Sequence, residues 1–161
     1  VETTITIAWT FGLLMVATTT FCPLLKKQYA FMLGGLLYAL VDVITGMMGI
    51  WTLMCFIAWG IVGLTFTYFK PTANPINFLG MSFVGTLLFD LLTGVIGGPL
   101  LFPMSFADAF IGQIPFTISH LIGNTVVVGV LSPLLFVYIG VNTWFKENMA
   151  RIGVYSPEIA T

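Results

Sequence analysis

The chain has 161 residues, of which 58% are hydrophobic and only 7% charged, with a mean hydropathy of +1.06 and a formal net charge of −1. A soluble domain carries about 25% charged residues, so this composition excludes a water-covered globule, and the absence of a basic patch excludes a nucleic-acid binder. What it allows is one all-α integral membrane domain over residues 1–161, a polytopic transmembrane helical bundle with membrane lipid as its solvent.

A spanning helix needs about 20 mostly apolar residues, and five runs meet that need. The first covers 4–25 and ends at Lys26-Lys27-Gln28. The second and third, 29–50 and 51–69, have only a weak break near Gly49 between them, which requires a tight hairpin. A polar break from Lys70 to Pro75 precedes the fourth, 76–98. Residues 99–114 (PLLFPMSFADAFIGQI), framed by Pro99, Pro103 and Gly112, fit neither a full span nor a free loop. Irregular backbone at membrane depth survives only inside protein or along a cavity, so this stretch reads as a short segment, re-entrant or interfacial, at one end of the bundle. The fifth run, 115–143, opens at Pro115, a residue suited to a first helical turn. Cys22 and Cys55 sit inside apolar runs without metal-ligand spacing and read as small buried hydrophobes.

Basic residues set the orientation. With five spans and the N-terminus outside, Lys26, Lys27, Lys70, Lys146 and Arg151 all fall on one side, cytoplasmic by the positive-inside rule. A sixth span within this chain would part the tail from the other lysines. The expected location is therefore a cell membrane crossed several times, with the basic loops and the C-terminus cytoplasmic. Trp144, Phe145 and Lys146 form an interfacial anchor on that side, while Glu2 and Asp108 face outward.

At a spacing of 48 residues the chain matches itself, pairing 9–53 with 57–101. The densest agreement is D-x-x-T-G-x-x-G, read as DVITGMMG at 42–49 and DLLTGVIG at 90–97. Each repeat holds two helices, so the two Asp-bearing helices run in the same direction.

Asp42 and Asp90 are what lipid does not explain. An ionisable side chain in a spanning helix costs about 2.5–3.5 kcal/mol on insertion scales and marks a candidate functional site. Ser82, Thr86, Asp90, Thr93 and Gly97 recur at three- and four-residue steps and share a helix face. Gly34, Tyr38, Asp42, Thr45 and Gly49 repeat those offsets. The competing structural reading is that each Asp ties neighbouring helices together, with small residues allowing close approach. A third polar stripe lies in GQIPFTISHLIGN, 112–124, where Thr117, His120 and Asn124 share a face and Gln113 precedes them. No nucleophile arrangement, metal cluster or phosphate loop is present, so neither an enzyme nor a cofactor is expected.

The end of the chain resembles the substrate-binding S components of energy-coupling factor transporters, small Gly-rich helical membrane proteins. Their last helix opens with Pro-Phe, then Asn, two apolar residues and Lys. Here the stretch reads Pro115-Phe116-Thr117-Ile118-Ser119-His120, with Thr117 in place of Asn and His120 in place of Lys. Beyond that helix the likeness is architectural. The resemblance implies a solute pocket near the outer face, gathering Asp42, Thr45, Asp90, Thr93, Gln113, Thr117, His120 and Asn124. It further implies a missing first helix before Val1, and a transmembrane scaffold and ATPases as partner subunits. Two other readings stand beside it. One is a non-catalytic structural or accessory subunit of a larger membrane complex, such as the cell-shape membrane proteins. The other is an ion path through Asp42, Asp90 and His120, since histidine titrates near neutrality.

Overall fold

The computed structural model describes the backbone of residues 2–69 and 72–154 and the side chains of 10–69, 72–140 and 142–154. Lys70, Pro71, Val1 and the Glu2 side chain therefore lie outside the described residues. Within them the chain is all helical. Helix α1 is Glu2–Phe21, and a short 3-10 turn at Cys22–Leu24, built on Pro23, leads out of it. Next come α2 (Lys27–Thr45), α3 (Ile50–Phe66), α4 (Pro75–Leu101), α5 (Phe106–Val141) and the short α6 (Thr143–Arg151).

The distribution of side chains is the reverse of a soluble protein. Leu40, Ile44, Ile57, Phe83, Ile122 and Val126 face outward, while Thr18, Thr19, Ser82, Thr86, Asn124 and Ser132 are buried. Hydrocarbon cannot supply hydrogen bonds, so polar groups turn inward to find each other. Three helices, α2, α4 and α5, are long and apolar enough to cross a membrane, and the apolar stretches Thr10–Leu24 and Ile50–Phe66 are shorter.

The α2–α3 hairpin is packed backbone on backbone. A methyl group on Gly34 would sit 2.5 Å from the Trp59 carbonyl, and one on Gly63 would overlap the Ala30 carbonyl. Helix α2 stops where Gly46 adopts the left-handed conformation, φ 70°, which glycine enters without steric cost. The other main contacts join α1 and α4 to the long α5. One end of the bundle collects the α1–α2 turn and the C-terminal helix, where the Lys26 amide donates to the Val154 carbonyl (3.0 Å). The Lys27 ammonium lies 4.4 Å from the centre of the Tyr68 ring at that same end. The opposite end holds the Gly46–Gly49 hairpin and the 102–105 turn, bridged by the Trp51 and Phe102 rings at 5.8 Å.

Two expectations about chain organisation need correction. Residues 99–114 are not a separate segment: α4 runs on to Leu101, and after a short turn α5 begins at Phe106. Pro115 does not open the last helix but lies inside it. The true start is fixed by Ser105, whose hydroxyl accepts the Asp108 amide (3.1 Å) and donates to Asp108 Oδ2 (2.6 Å). That reciprocal cap outweighs proline's preference for a first turn. The 36 residues of α5 span about 54 Å at ~1.5 Å per residue.

Placing Ala at Gly63 should lower stability by about 1–3 kcal/mol, because rigid backbone rather than a side-chain tip faces the new methyl. Thermal unfolding in detergent measures this, with Gly80→Ala as the comparison because open space surrounds that glycine. Equal melting temperatures for the two variants would contradict the close α2–α3 packing.

Candidate functional site

The two copies of the D-x-x-T-G-x-x-G motif adopt different structures. In the first, Asp42 lies in the last turn of α2 and the motif ends the helix. The Thr52 hydroxyl donates to Asp42 Oδ2 (2.6 Å) and accepts from the Gly49 amide (3.0 Å), while the Met47 amide donates to the Asp42 carbonyl (2.9 Å). Asp42 thus ties the α2–α3 hairpin shut. Thr45 is exposed and bonds back to the Val41 carbonyl at 2.9 Å. Gly49 falls beyond the helix, so the polar stripe expected on α2 is cut after Asp42.

In the second copy, Asp90 stands directly before a π-helical turn, Leu91–Gly97, and the helix continues to Leu101. Pro99 accounts for the widening, because it has no N–H to donate and its ring crowds the Val95 carbonyl one turn back. Single π turns recur at functional sites. Here the stripe survives intact, with Ser82, Thr86, Asp90, Thr93 and Gly97 all buried.

Asp90 reaches across to α5. Its Oδ1 lies 2.9 Å from His120 Nδ1, and the two side chains are only 3% and 7% exposed. One turn further along α5, Asn124 Nδ2 donates to Thr86 Oγ1 (2.7 Å). The imidazole is held between rings: Phe11 stacks on it at 4.5 Å and Phe116 meets it edge-on at 5.7 Å. Yet Asp90 Oδ2, His120 Nε2 and Asn124 Oδ1 are buried and make no hydrogen bond among the described residues.

Beside this pair lies a cavity of about 280 Å³, in the half of the bundle toward the Gly46–Gly49 and 102–105 turns. Asp90, His120, Thr93 and Gln113 line it, and Phe11, Tyr38, Trp51, Phe89 and Phe116 supply aromatic walls. Among the described residues, no lysine or arginine lines it. At ~30 Å³ per water its volume equals roughly nine waters, a space for a small organic molecule. An ionised carboxylate can only accept hydrogen bonds. The unpaired Oδ2 therefore calls for a donor, and the surrounding rings favour a cation or a flat apolar group.

Of the eight site residues expected from sequence, Asp90, Thr93, Gln113 and His120 share this cavity. Asn124 sits just beyond it, bonded to Thr86, and Thr117 lines a neighbouring groove instead. Asp42 and Thr45 do not join it, since Asp42 faces α3 and Asp90 faces α5. Of the aromatic walls, Tyr38 lay on the expected α2 stripe, while Phe11, Trp51, Phe89 and Phe116 escaped as cavity residues, because an apolar ring on a cavity and one facing lipid are spelled alike. Comparison with protein-family models, with curated proteins and with solved structures finds no match.

Replacing Thr52 by Val should destabilise the protein by roughly 1–3 kcal/mol, since it strips a buried carboxylate of its donor. A double-mutant cycle with Asp42→Asn, read by thermal unfolding, measures the coupling. Additive losses would show that the hairpin tie carries no weight.

Proposed function

We propose that this chain is a membrane-embedded, solute-binding subunit of a transporter, and that it captures a small molecule in the Asp90–His120 cavity. One observation carries the reading: a carboxylate and an imidazole, both almost wholly buried, each retain an unpaired polar atom beside a cavity walled by aromatic rings. A helix tie alone has no need of this. Asp42 with Thr52 is such a tie, and neither residue has a buried side-chain oxygen without a partner among the described residues. Ligand pockets combine apolar walls with a few converging polar groups, and the Asp90 cavity has that make-up.

In this reading the helices α1 to α5 each cross the bilayer. The end that carries Lys26, Lys27, Lys146 and Arg151 is cytoplasmic, so the cavity lies in the outer half. Its position fits the S-component likeness at Pro115-Phe116, since His120 and Gln113 belong to that stretch of α5. Energy for release then comes from partner subunits, a membrane scaffold with ATPases.

A second reading, an accessory subunit of a membrane complex, is favoured by one feature. The first turns of α5 expose Phe106, Phe110, Ile111 and Ile114 on a helix longer than the ~30 Å hydrocarbon core. A foreign helix would cover them.

Native mass spectrometry of the protein released from lipid nanodiscs separates the two. The solute-binding reading expects a small-molecule adduct that is lost in Asp90→Asn and kept in Thr52→Val. A constant protein partner with no small-molecule adduct would instead support the accessory subunit and sink the first reading.

A further inference from the structure

Two cavities meet at Asp90. The inner one is the aromatic pocket described above. The second is a groove of about 380 Å³ between α4 and α5, alongside the π turn. Its walls include Leu87 and Leu91 from α4 and Phe110 and Ile114 from α5, all four exposed on the outer surface of the bundle. Asp90 and Gln113 line both spaces. The partition between them is thin. The Gln113 side chain lies directly on Gly94, so closely that a methyl group there would overlap its amide. Glutamine is long and unbranched, so a change of rotamer is enough to move that amide off the glycine.

A buried carboxylate that opens toward an apolar, outward-facing groove is an unusual pairing. Asp90 Oδ1 is taken up by His120, and among the described residues Oδ2 remains an acceptor without a donor. Among the described residues, no lysine or arginine lines either cavity. A buried polar atom is costly without a hydrogen bond, so Oδ2 needs a donor brought by the ligand, and the aromatic walls favour a cationic one. The groove adds a second demand, because its outward walls are hydrocarbon-like and lie where, in the membrane reading, acyl chains lie. A purely water-soluble solute makes no use of it.

We infer that the ligand class is an amphiphilic amine, and that it reaches Asp90 sideways from the bilayer. Its protonated nitrogen donates to Asp90 Oδ2 beside the aromatic rings, and its apolar chain rests in the groove between Leu91 and Ile114. Gln113 is the positioning residue that separates or joins the two spaces. This inference rests on the solute-binding reading above and narrows it.

The test uses the full chain in lipid nanodiscs, with binding counted by native mass spectrometry against benzylamine, N-decylbenzylamine and decanol. N-decylbenzylamine should bind about ten-fold or more tightly than benzylamine, as burial of several methylenes requires. Filling the groove with Leu87→Phe and Ile114→Phe together should shrink that gain. Asp90→Asn should abolish binding of both amines, with His120→Gln as a second variant should the first unfold, each checked by its melting temperature. Decanol bound as tightly as N-decylbenzylamine, and indifferent to Asp90→Asn, would overturn the inference. So would equal affinity for the two amines, or a chain-length gain that survives the filled groove; in both cases the solute-binding reading stands. Failure of every amine, with a co-purified small molecule still present, also removes only this inference. Failure of every amine with no co-purified molecule removes both.

Discussion

A polar side chain on a helix surrounded by hydrocarbon must find its partner on another helix or on its own backbone. The polar contacts between helices of this bundle follow that constraint, with Asp90 Oδ2, His120 Nε2 and Asn124 Oδ1 as exceptions among the described residues. Trp59 Nε1 on α3 donates to Thr18 Oγ1 on α1 (2.9 Å), and the Thr19 and Ser132 hydroxyls join α1 to α5 at 2.9 Å. Asp42 with Thr52 closes α2 on α3, and Asn124 with Thr86 and His120 with Asp90 bind α5 to α4. Each such bond is worth only ~0.6 kcal/mol on average within a membrane. Together they fix which helix face turns inward. Apolar packing then fills the space between them, with Met15, Trp59, Val62, Phe66 and Phe78 fully buried.

The same constraint sorts the two aspartates. Asp42 Oδ2 accepts from the Thr52 hydroxyl at the hairpin, and among the described residues neither Asp42 oxygen is both buried and unpaired. Asp90 is satisfied only in part. The difference grows from the path the chain takes after each motif. Beyond Gly46 it turns back at once into α3, whereas beyond Gly94 it continues through a π turn to Pro99 and the end of α4. One sequence motif therefore yields a helix stop in one place and a widened helix in the other. The unsatisfied oxygen lies where the helix widens.

That divergence also marks the boundary between the legible and the illegible in the sequence. The apolar runs, the inward polar stripe on α4, and the grouping of Gln113 with His120 could be read from spacing, because helical periodicity is a local property. The union of Asp42 and Asp90 in one pocket is what the S-component resemblance implies, with the repeated motif making the two look equivalent. It fails because repetition of residues does not repeat their surroundings. The start of α5 is also written locally: Ser105-Phe106-Ala107-Asp108 is a capping-box pattern, although Pro115 offers a competing start ten residues later. Three consecutive threonines at 18–20, in an otherwise apolar helix, likewise signal an interior face on α1. Tyr38 on the cavity wall lay on the α2 stripe, but Phe11 and Trp51 had no comparable signal. Their role depends on which helices meet, and that is a matter of tertiary contact.

The threonines of α1 carry a meaning for how the protein is made. The Thr19 partner Ser132 is 113 residues further along the chain, so in the proposed membrane reading α1 would enter the bilayer long before α5 exists to receive it, whereas α2 and α3 could pair as soon as both emerge. Through that interval α1 would expose bare hydroxyls to acyl chains. Thr18 and Thr19 avoid this by donating to the carbonyls of Leu14 (2.7 Å) and Met15 (2.8 Å) within their own helix. Their oxygens stay free to accept a later bond. Asparagine or glutamine at these positions would have met lipid with a larger unsatisfied amide. Threonine lets a helix wait, already insertable, for a neighbour that is still being synthesised.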